Sequence, residues 1–308
     1  MTEHSVGQDR IHHDWNADLE PILEIDSGDV VHFDAMVAGE GQVWLGASYD
    51  ECRFDFDTIY NLSGPLWVKG AEPGDTLQID LLALRHGTWG WGSIVPGLGL
   101  LPAEFPAGYV RTFDLSGGDE IEYAPGIVLR LRELLGTIGN HPGDPRRSLP
   151  FPPHRGGGNM DNRHLVQGAS LWLPVHVPGA LFSCGDPHAL QGDGEVCVTA
   201  LEAPLTATLR FQLHKTSSET PSFLVSPSGV SHFDDAGYYA TTGISSDLLE
   251  CSRIAVRNMV RWLSDTHGLS PEDAYMLCSF VGDLRVHEVV DAGVWNVGFT
   301  MPLSIFHD

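Results

Sequence analysis

The sequence predicts a mainly β fold: two interlocked β lobes of sandwich or barrel type, with long Gly/Pro loops and a small α+β portion at the C-terminus. Three observations predict it. Short runs exchange apolar and polar residues at period two. Turn residues break those runs, with 35 glycines and 20 prolines in 308 residues. Helical spacing is clear in two stretches only, both near the C-terminus. A chain of this length buries a substantial core, and no solenoid or propeller period repeats along it. An N-terminal lobe over 1–165 and a C-terminal lobe over 166–308 are expected as halves of one unit.

Ile22-Leu23-Glu24-Ile25, the turn Asp26-Ser27-Gly28-Asp29 and Val30-Val31-His32-Phe33 carry a hairpin signature. The same grammar returns in Leu66-Trp67-Val68-Lys69-Gly70, the turn Glu72-Pro73-Gly74-Asp75, and Thr76 to Leu81. From Gly87 to Arg163 long periodic stretches are few, although Ile127 to Leu131 reads as a strand. Trp89, Trp91, Leu98, Leu100, Leu101 and Phe105 are too apolar for a solvated linker, so this stretch is expected to shape a site. Further strands are expected at Ser170 to Val177, Glu195 to Leu201 and Leu205 to Leu213. Leu248, Cys251, Ala255, Met259 and Trp262 then step by three and four, with Gly268 placed to stop the helix. A second helix starts from Ser270 as N-cap, with Pro271 at its first position and Asp273 in capping-box position, and runs through Ala274 to Phe280. Both are expected to support rather than to catalyse.

Lys and Arg number 17 against 41 Asp and Glu, a formal net charge of −24. Phosphate-rich partners are repelled, which excludes nucleic acid and anionic membrane surfaces as natural ligands. Most of that acid is a solvated surface and says little about substrate. Cys52, Cys184, Cys197, Cys251 and Cys278 form no C-x-x-C pair and read as reduced thiols. Met1 to Trp15 is polar, and no run approaches the ~20 apolar residues of a membrane span. A cytoplasmic location is expected.

Two segments carry candidate chemistry. Pro152-Pro-His-Arg-Gly-Gly-Gly-Asn-Met-Asp161 brings a glycine run up to Asn159 and Asp161, and glycines let backbone approach a ligand closely. Asp161 reads as a ligand or a base, or as part of an ordinary glycine-rich turn. Between two apolar runs, Asp186, His188, Gln191, Asp193 and Glu195 fall within ten positions. Carboxylates and an imidazole converging on a loop suit a divalent metal, with ligand atoms about 2.0–2.2 Å from zinc and an open position for water. Such water reaches a pKa near ~7 and supplies the hydroxide that an unactivated amide needs. The competing reading is an acidic hairpin loop facing water.

The runs Gly157 to Asp161, Gly179 to Cys197 and Gly70 to Asp75 resemble the acetamidase/formamidase family. His12, Trp15, Trp89-Gly-Trp91, Pro96-Gly-Leu-Gly-Leu100, Tyr238 to Ile244 and Asp283-Leu-Arg285 extend the likeness over nearly the whole chain. The resemblance implies a mostly-β homo-oligomer, dimeric or higher, that hydrolyses short amides such as formamide or acetamide. Asp161, His188 and Glu195 are the expected metal ligands, with His12 as a further candidate. Zinc is favoured, calcium being possible as a structural ion. Glu195 is alternatively the base that activates water, with Asp193 taking whichever role it leaves. Asn159 and the amides of Gly157 and Gly158 are expected at the oxyanion. Where relatives carry His-Pro before a Thr-Gly-Pro turn, this chain has Tyr60-Asn61-Leu62-Ser63-Gly64-Pro65, and Pro187 stiffens the Gly185-Asp-Pro-His188 run.

Two rivals remain open at this point. Cys184 could serve as a thiol nucleophile with His188 as its base. Alternatively, the chain is a non-catalytic β-sandwich binding module, with calcium in the acidic loop and Trp89 and Trp91 stacking on a ligand.

Overall fold

The computed structural model describes residues 1–144, 147–225, 236–290 and 293–307. In chain order the strands begin with β1 (Glu3–Val6), β2 (Ile11–His12), β3 (Leu23–Ile25), β4 (Val30–Ala35), β5 (Leu62–Val68), β6 (Thr76–His86) and β7 (Trp89–Ile94). There follow β8 (Tyr109–Asp114), β9 (Glu120–Ala124), β10 (Ile127–Arg130), β11 (Leu134–Gly139) and β12 (Gly157–Asn159). Next come β13 (Ser170–Pro174), β14 (Phe182–Leu190), β15 (Leu201–Glu202), β16 (Leu205–His214) and β17 (Ser222–Leu224). The chain closes with β18 (Tyr238–Ser245), α1 (Leu248–His267), α2 (Pro271–Val281), β19 (Asp283–Glu288) and β20 (Trp295–Pro302). The mainly β architecture with two C-terminal helices is the one the sequence predicts.

Two sheets dominate. One has six strands in the order β1-β4-β16-β6-β13-β17. The other has nine, running β12-β11-β14-β15-β7-β8, with β5 branching from β14 and carrying β2 and β3. Strands from both sides of residue 165 enter each sheet, so the two halves of the chain interleave. Between the sheets Val31, Phe33, Leu77, Ile79, Leu209 and Phe211 pack against Leu66, Val68, Leu135, Ile138, Phe182 and Cys184. A second core gathers α1, α2, β8 and the β9–β10 pair with the segment after β14. Strands β18, β20 and β19 form a separate small sheet against α1.

Neither expected hairpin forms. β3 pairs in parallel with β5, whereas β4 lies in the six-stranded sheet between β1 and β16. β5 and β6 divide between the two sheets in the same way. Both turns close as expected, Asp29 donating to the Asp26 carbonyl and Asp75 to that of Glu72, but each carries the chain from one layer to the other. A tight turn does not distinguish a hairpin from a layer crossing. What decides is that Ile25, Val31, Val68 and Leu77 all bury against a common core.

The predicted strand over Glu195 to Leu201 is also corrected. Glu195 and Val198 have φ of 41° and 79°, which no strand accommodates. The strand lies earlier, in β14, all nine of whose residues are buried. What read as an acidic loop therefore begins inside a sheet. The stretch from Gly87 to Arg163 likewise holds more strand than its Gly and Pro content suggests. β11, Leu-Leu-Gly-Thr-Ile-Gly, is buried throughout and lacks the alternation that marks a half-exposed strand.

Both helices lie where their spacing places them. Asp247 caps α1 by accepting from the Glu250 amide at 2.7 Å, and Gly268 ends it in the left-handed region at φ 67°. Ser270 caps α2, accepting from the Asp273 amide at 3.1 Å. Their supporting role is specific. The Tyr275 hydroxyl accepts from the amides of Leu100 and Leu101, at 2.9 and 3.0 Å, and donates to the Val196 carbonyl. Ser279 bonds the Thr199 carbonyl at 2.7 Å and receives the Cys197 amide at 3.3 Å. The Gly192 amide donates to the Ser279 carbonyl at 2.8 Å, so α2 pins the backbone on either side of Glu195. Tyr275→Phe leaves the Leu101 amide without its partner, while the Leu100 amide and the Val196 carbonyl keep their bond to each other, so a loss of about 1–3 kcal/mol is expected in denaturant unfolding. An unchanged midpoint would show that α2 does not anchor these loops.

Candidate active site

The site lies where β14 changes neighbours. Cys184 and Gly185 pair with Ser63 and Leu62 of β5, while His188 pairs with Glu202 of β15 on the same edge. Asp186 falls in the interval between those partners, at φ 52°, and β11 runs along the other side. The pairing with both β5 and β15 shifts register here, the local irregularity that re-aims side chains next to sites. Asp161 and Glu195 also have positive φ, 44° and 41°. Of the six non-glycine residues with positive φ among the described residues, three are therefore carboxylates of one cluster. Backbone held in a sparsely populated region is kept only where the surroundings enforce it, and such positions gather at functional sites.

Asp161, Asp186 and His188 each bring one ligand atom to within 4.8 Å of the others, and so do His188, Glu195 and Glu202. His188 Nε2 lies 3.2 Å from Glu202 Oε2 and 3.5 Å from Asp186 Oδ1. The amide of Gln191 donates to the Asp161 carbonyl, which leaves its oxygen facing His188 Nδ1 at 2.8 Å. Nδ1 therefore carries the proton and donates, and Nε2 points at the carboxylates. Asn159 donates to Asp161 Oδ2 at 2.5 Å and accepts from the Thr137 hydroxyl at 2.7 Å. Room for this convergence comes from Gly136: a Cβ there would meet His188 Cε1 at 2.6 Å, Asp161 Oδ1 at 2.7 Å and Asp186 Oδ2 at 2.9 Å.

Asp161 Oδ1, His188 Nε2 and Glu202 Oε2 are buried without a hydrogen-bond partner. Buried polar atoms are normally satisfied, so three orphans in one cluster mark a place for a further group. One imidazole nitrogen, oriented through its other ring nitrogen, and several carboxylate oxygens are a donor set that fits a divalent cation.

The structure brings Asp161, His188, Glu195 and Asn159 together as the sequence suggests. It does not bring His12. Both His12 ring nitrogens are engaged elsewhere, Nδ1 donating to the Asp14 carbonyl at 2.7 Å and Nε2 accepting from Ser183 at 2.8 Å. Burial lowers its pKa to about 4, so it stays neutral. Asp193 is also placed apart, its carboxylate 3.6 Å from His164 and its amide bonded to Asp283. The Gly157 amide is occupied by the His154 carbonyl and is not available to an oxyanion. Cys184 sits in the core between the sheets, and burial pushes its thiol pKa up, the opposite of what a nucleophile needs. Trp91 is buried with its indole N–H on the Ala38 carbonyl and presents no stacking face to solvent. Glu202, Thr137 and Gly136 complete the site beyond the residues singled out from sequence, and Asp186, counted in the acidic run but not chosen as a ligand, joins them. For Glu202 a signal exists, a lone acid in the apolar run Val198 to Pro204.

A cavity of about 570 Å³ opens onto Asn159, Asp161 and Glu195, walled by Phe56, Tyr60, Leu98, Phe151, Pro152 and Val198 among others. Tyr60 thus forms part of the wall in the segment where the sequence departs from the family pattern.

The sequence pattern of the Acetamidase/Formamidase family matches residues 1–149 and 146–308. A formamidase of Methylophilus methylotrophus is 29% identical over 242 residues, covering 61% of this chain and 60% of its own length. The γ-lactamase from Delftia acidovorans superposes with a TM-score of 0.89 at 25% identity, over 96% of this chain and 89% of that one. The acetamidase of Bacillus halodurans gives 0.68 at 29% identity, over 96% of each.

Electrostatics follow from burial. No Lys or Arg is among the described residues that line the cavity. Burial and the Asp186 charge raise Asp161 from 3.8 to about 8, and burial with Asp161 pushes Glu195 well up. Burial opposes protonation of His188, but Glu202 and Asp186 outweigh it and hold the imidazole charged. Burial and all four carboxylates keep the Tyr60 phenol protonated. A carboxyl with a raised folded pKa stabilises the fold fully below its unfolded value, and that contribution is lost as pH climbs to the folded value. In chelator-treated protein, the Tm of Asp161→Asn minus that of the wild type should therefore grow from pH 4 toward about 8 and then level off. A difference independent of pH would mean that Asp161 is not held protonated.

Proposed function

Because the chain belongs to the acetamidase/formamidase family of amide-hydrolysing enzymes, we propose that it cleaves a primary carboxamide to a carboxylate and ammonia at the Asp161, Asp186, His188, Glu195, Glu202 cluster. Formamide and acetamide are its smallest substrates. The observation that carries this reading is the trio of unpartnered buried atoms, Asp161 Oδ1, His188 Nε2 and Glu202 Oε2, under an open apolar cavity.

Asp161, Asp186, His188 and Glu202 are the groups that would hold a divalent ion, zinc being favoured over calcium, which leaves Glu195 as the base. Bound there, the ion supplies Lewis-acid polarisation of the amide carbonyl and an acidified water. The remaining work falls to the chain itself. Glu195 lines the cavity beside Asp161. Burial raises its carboxyl well above the usual carboxylate range, so it accepts a proton from water and returns it to the departing nitrogen. Asn159 keeps a second N–H beyond the one given to Asp161, and Tyr60 keeps its hydroxyl proton; both are donors for the carbonyl oxygen. The apolar wall limits bulk water around the acyl group.

The five free cysteines fit a reducing compartment, and the cytoplasm is the proposed location. A homo-oligomer is proposed as well. Ile244, Leu249 and Val286 are 61, 51 and 57% exposed on the β18–β20–β19 sheet and the start of α1, apolar side chains that a second copy of the chain would cover. Ile244→Glu with Val286→Glu should then lower the mass seen by light scattering. An unchanged mass would place the interface elsewhere.

Purified protein should release ammonia from formamide and acetamide, lose that activity to a chelator and regain it with one added metal. Glu195→Gln should lower kcat by about 10²–10⁴-fold, and Cys184→Ser should retain turnover. Activity indifferent to chelation but abolished in Cys184→Ser would replace this mechanism with a thiol one.

A further inference from the structure

A second, smaller cavity of about 50 Å³ adjoins the first, here the rear chamber to the larger front one. Phe56, Tyr60, Leu98 and Val198 border both, so these four side chains form a waist between them. The two cavities divide the carboxylate cluster. Asp161 and Glu195 line the front chamber, while Asp186 and Glu202 line the rear one. His188 lies between, close to members of each pair. The remaining rear wall includes Ala38, Ile59, Trp91 and Thr199.

We propose, on the reading that this site hydrolyses amides, that the two chambers partition the substrate: the front takes an apolar acyl group of ring size, and the rear takes the nitrogen and releases it as ammonia. Size and chemistry both set this direction. About 570 Å³ lies within the range that holds ligands of many heavy atoms, and its aromatic and aliphatic walls bury a ring. By contrast, about 50 Å³ has room for a few water-sized molecules, at about 15 Å³ for one. Two carboxylates on the rear wall accept from an amide NH₂, and they offer nothing to an alkyl group. Neither chamber has a Lys or Arg among its described lining residues, so an anionic acyl group is disfavoured. The step balances as a hydrolysis. Water oxygen bonds the carbonyl carbon, the C–N bond breaks with its electron pair going to nitrogen, and nitrogen leaves with its two hydrogens and one proton derived from water.

Two isomers separate the chambers. Phenylacetamide carries its ring on the acyl side, whereas acetanilide carries it on the nitrogen, where the rear chamber has no room. Aniline is the better leaving group, so chemistry alone favours acetanilide. The expected order of kcat/KM is phenylacetamide above acetamide by about a hundredfold, from the apolar area buried, with acetanilide slowest. Ile59→Ala enlarges the rear chamber only, and should raise the acetanilide-to-phenylacetamide ratio by about tenfold. Phe151→Ala, which opens the front wall without touching the core, should lower the phenylacetamide-to-formamide ratio by a similar factor. Equal turnover of the two isomers, or formamide and acetamide preferred over phenylacetamide, would overturn the partition while leaving amide hydrolysis standing. No turnover of any of the four would remove both.

Discussion

Four carboxylates and one imidazole share a buried space here with no Lys or Arg lining it among the described residues. Taking an ionised carboxylate out of water costs several kcal/mol even after relaxation, and the cost rises with each like charge added. Much of the surrounding architecture is what such an arrangement requires. Strand β14 delivers Asp186 and His188 from within a sheet, where the backbone has no freedom to swing them toward solvent. Gly136 on the neighbouring strand leaves out the one carbon that would push the groups apart. Asp161, Asp186 and Glu195 hold left-handed backbone conformations that an isolated segment would relax. On the far side α2 grips the backbone on both sides of Glu195, Ser279 at Gly192 and Thr199 and Tyr275 at Val196, and Asp283, at the start of β19, bonds the Asp193 amide. The small helical portion at the C-terminus is the clamp on the most strained part of the site.

The handover on β14 explains why the cluster sits where it does. A strand paired continuously on both edges turns alternate side chains to opposite faces and offers no interior opening. Between Gly185 and His188 one neighbour, β5, ends and another, β15, begins, and that interval lets carboxylates from four segments meet. Glu202 arrives on the incoming strand, Asp161 from the turn after β12, and Glu195 from the turn after β14. His12, which lies on β2 beside β5, instead braces the outgoing neighbour: its link to Ser183 ties the N-terminal segment to β14 before the handover.

How much of this the sequence discloses depends on the range of the interaction that decides it. Helices α1 and α2 are set by spacing and caps within a few residues, and both were legible down to Gly268 and Ser270. The density of Asp, His and Glu between residues 186 and 195 was legible as a site, and so was Asn159 with Asp161. Layer crossings at Asp26 to Asp29 and Glu72 to Asp75 were not, because their turns carry the same local chemistry as hairpins and only distant strands decide the outcome. Asp186, counted in that run, was not chosen as a ligand and Glu202 was passed over, for related reasons. Asp186 lies two positions before His188 on one strand, a relation that matters only if the segment is read as a strand, and Glu202 joins by pairing across β15.

A site with an excess of buried acid has a consequence for amide chemistry. The amide nitrogen is a poor leaving group until it acquires a proton, and attack at the carbonyl needs a proton removed from water. A solvated carboxylate near its ordinary pKa does the second task weakly and the first hardly at all, since it is almost wholly ionised at neutral pH. Burial against like charge changes that balance. Burial raises Glu195 well above the ordinary carboxylate range, so a proton it takes from water is one it can return to nitrogen. A positive charge placed among Asp161, Asp186, His188 and Glu202 would draw the other protons off while leaving Glu195, at the cavity face, to exchange one with the substrate. On the proposed function, the desolvation that makes the cluster costly to fold is the same property that fits Glu195 to both halves of the hydrolysis.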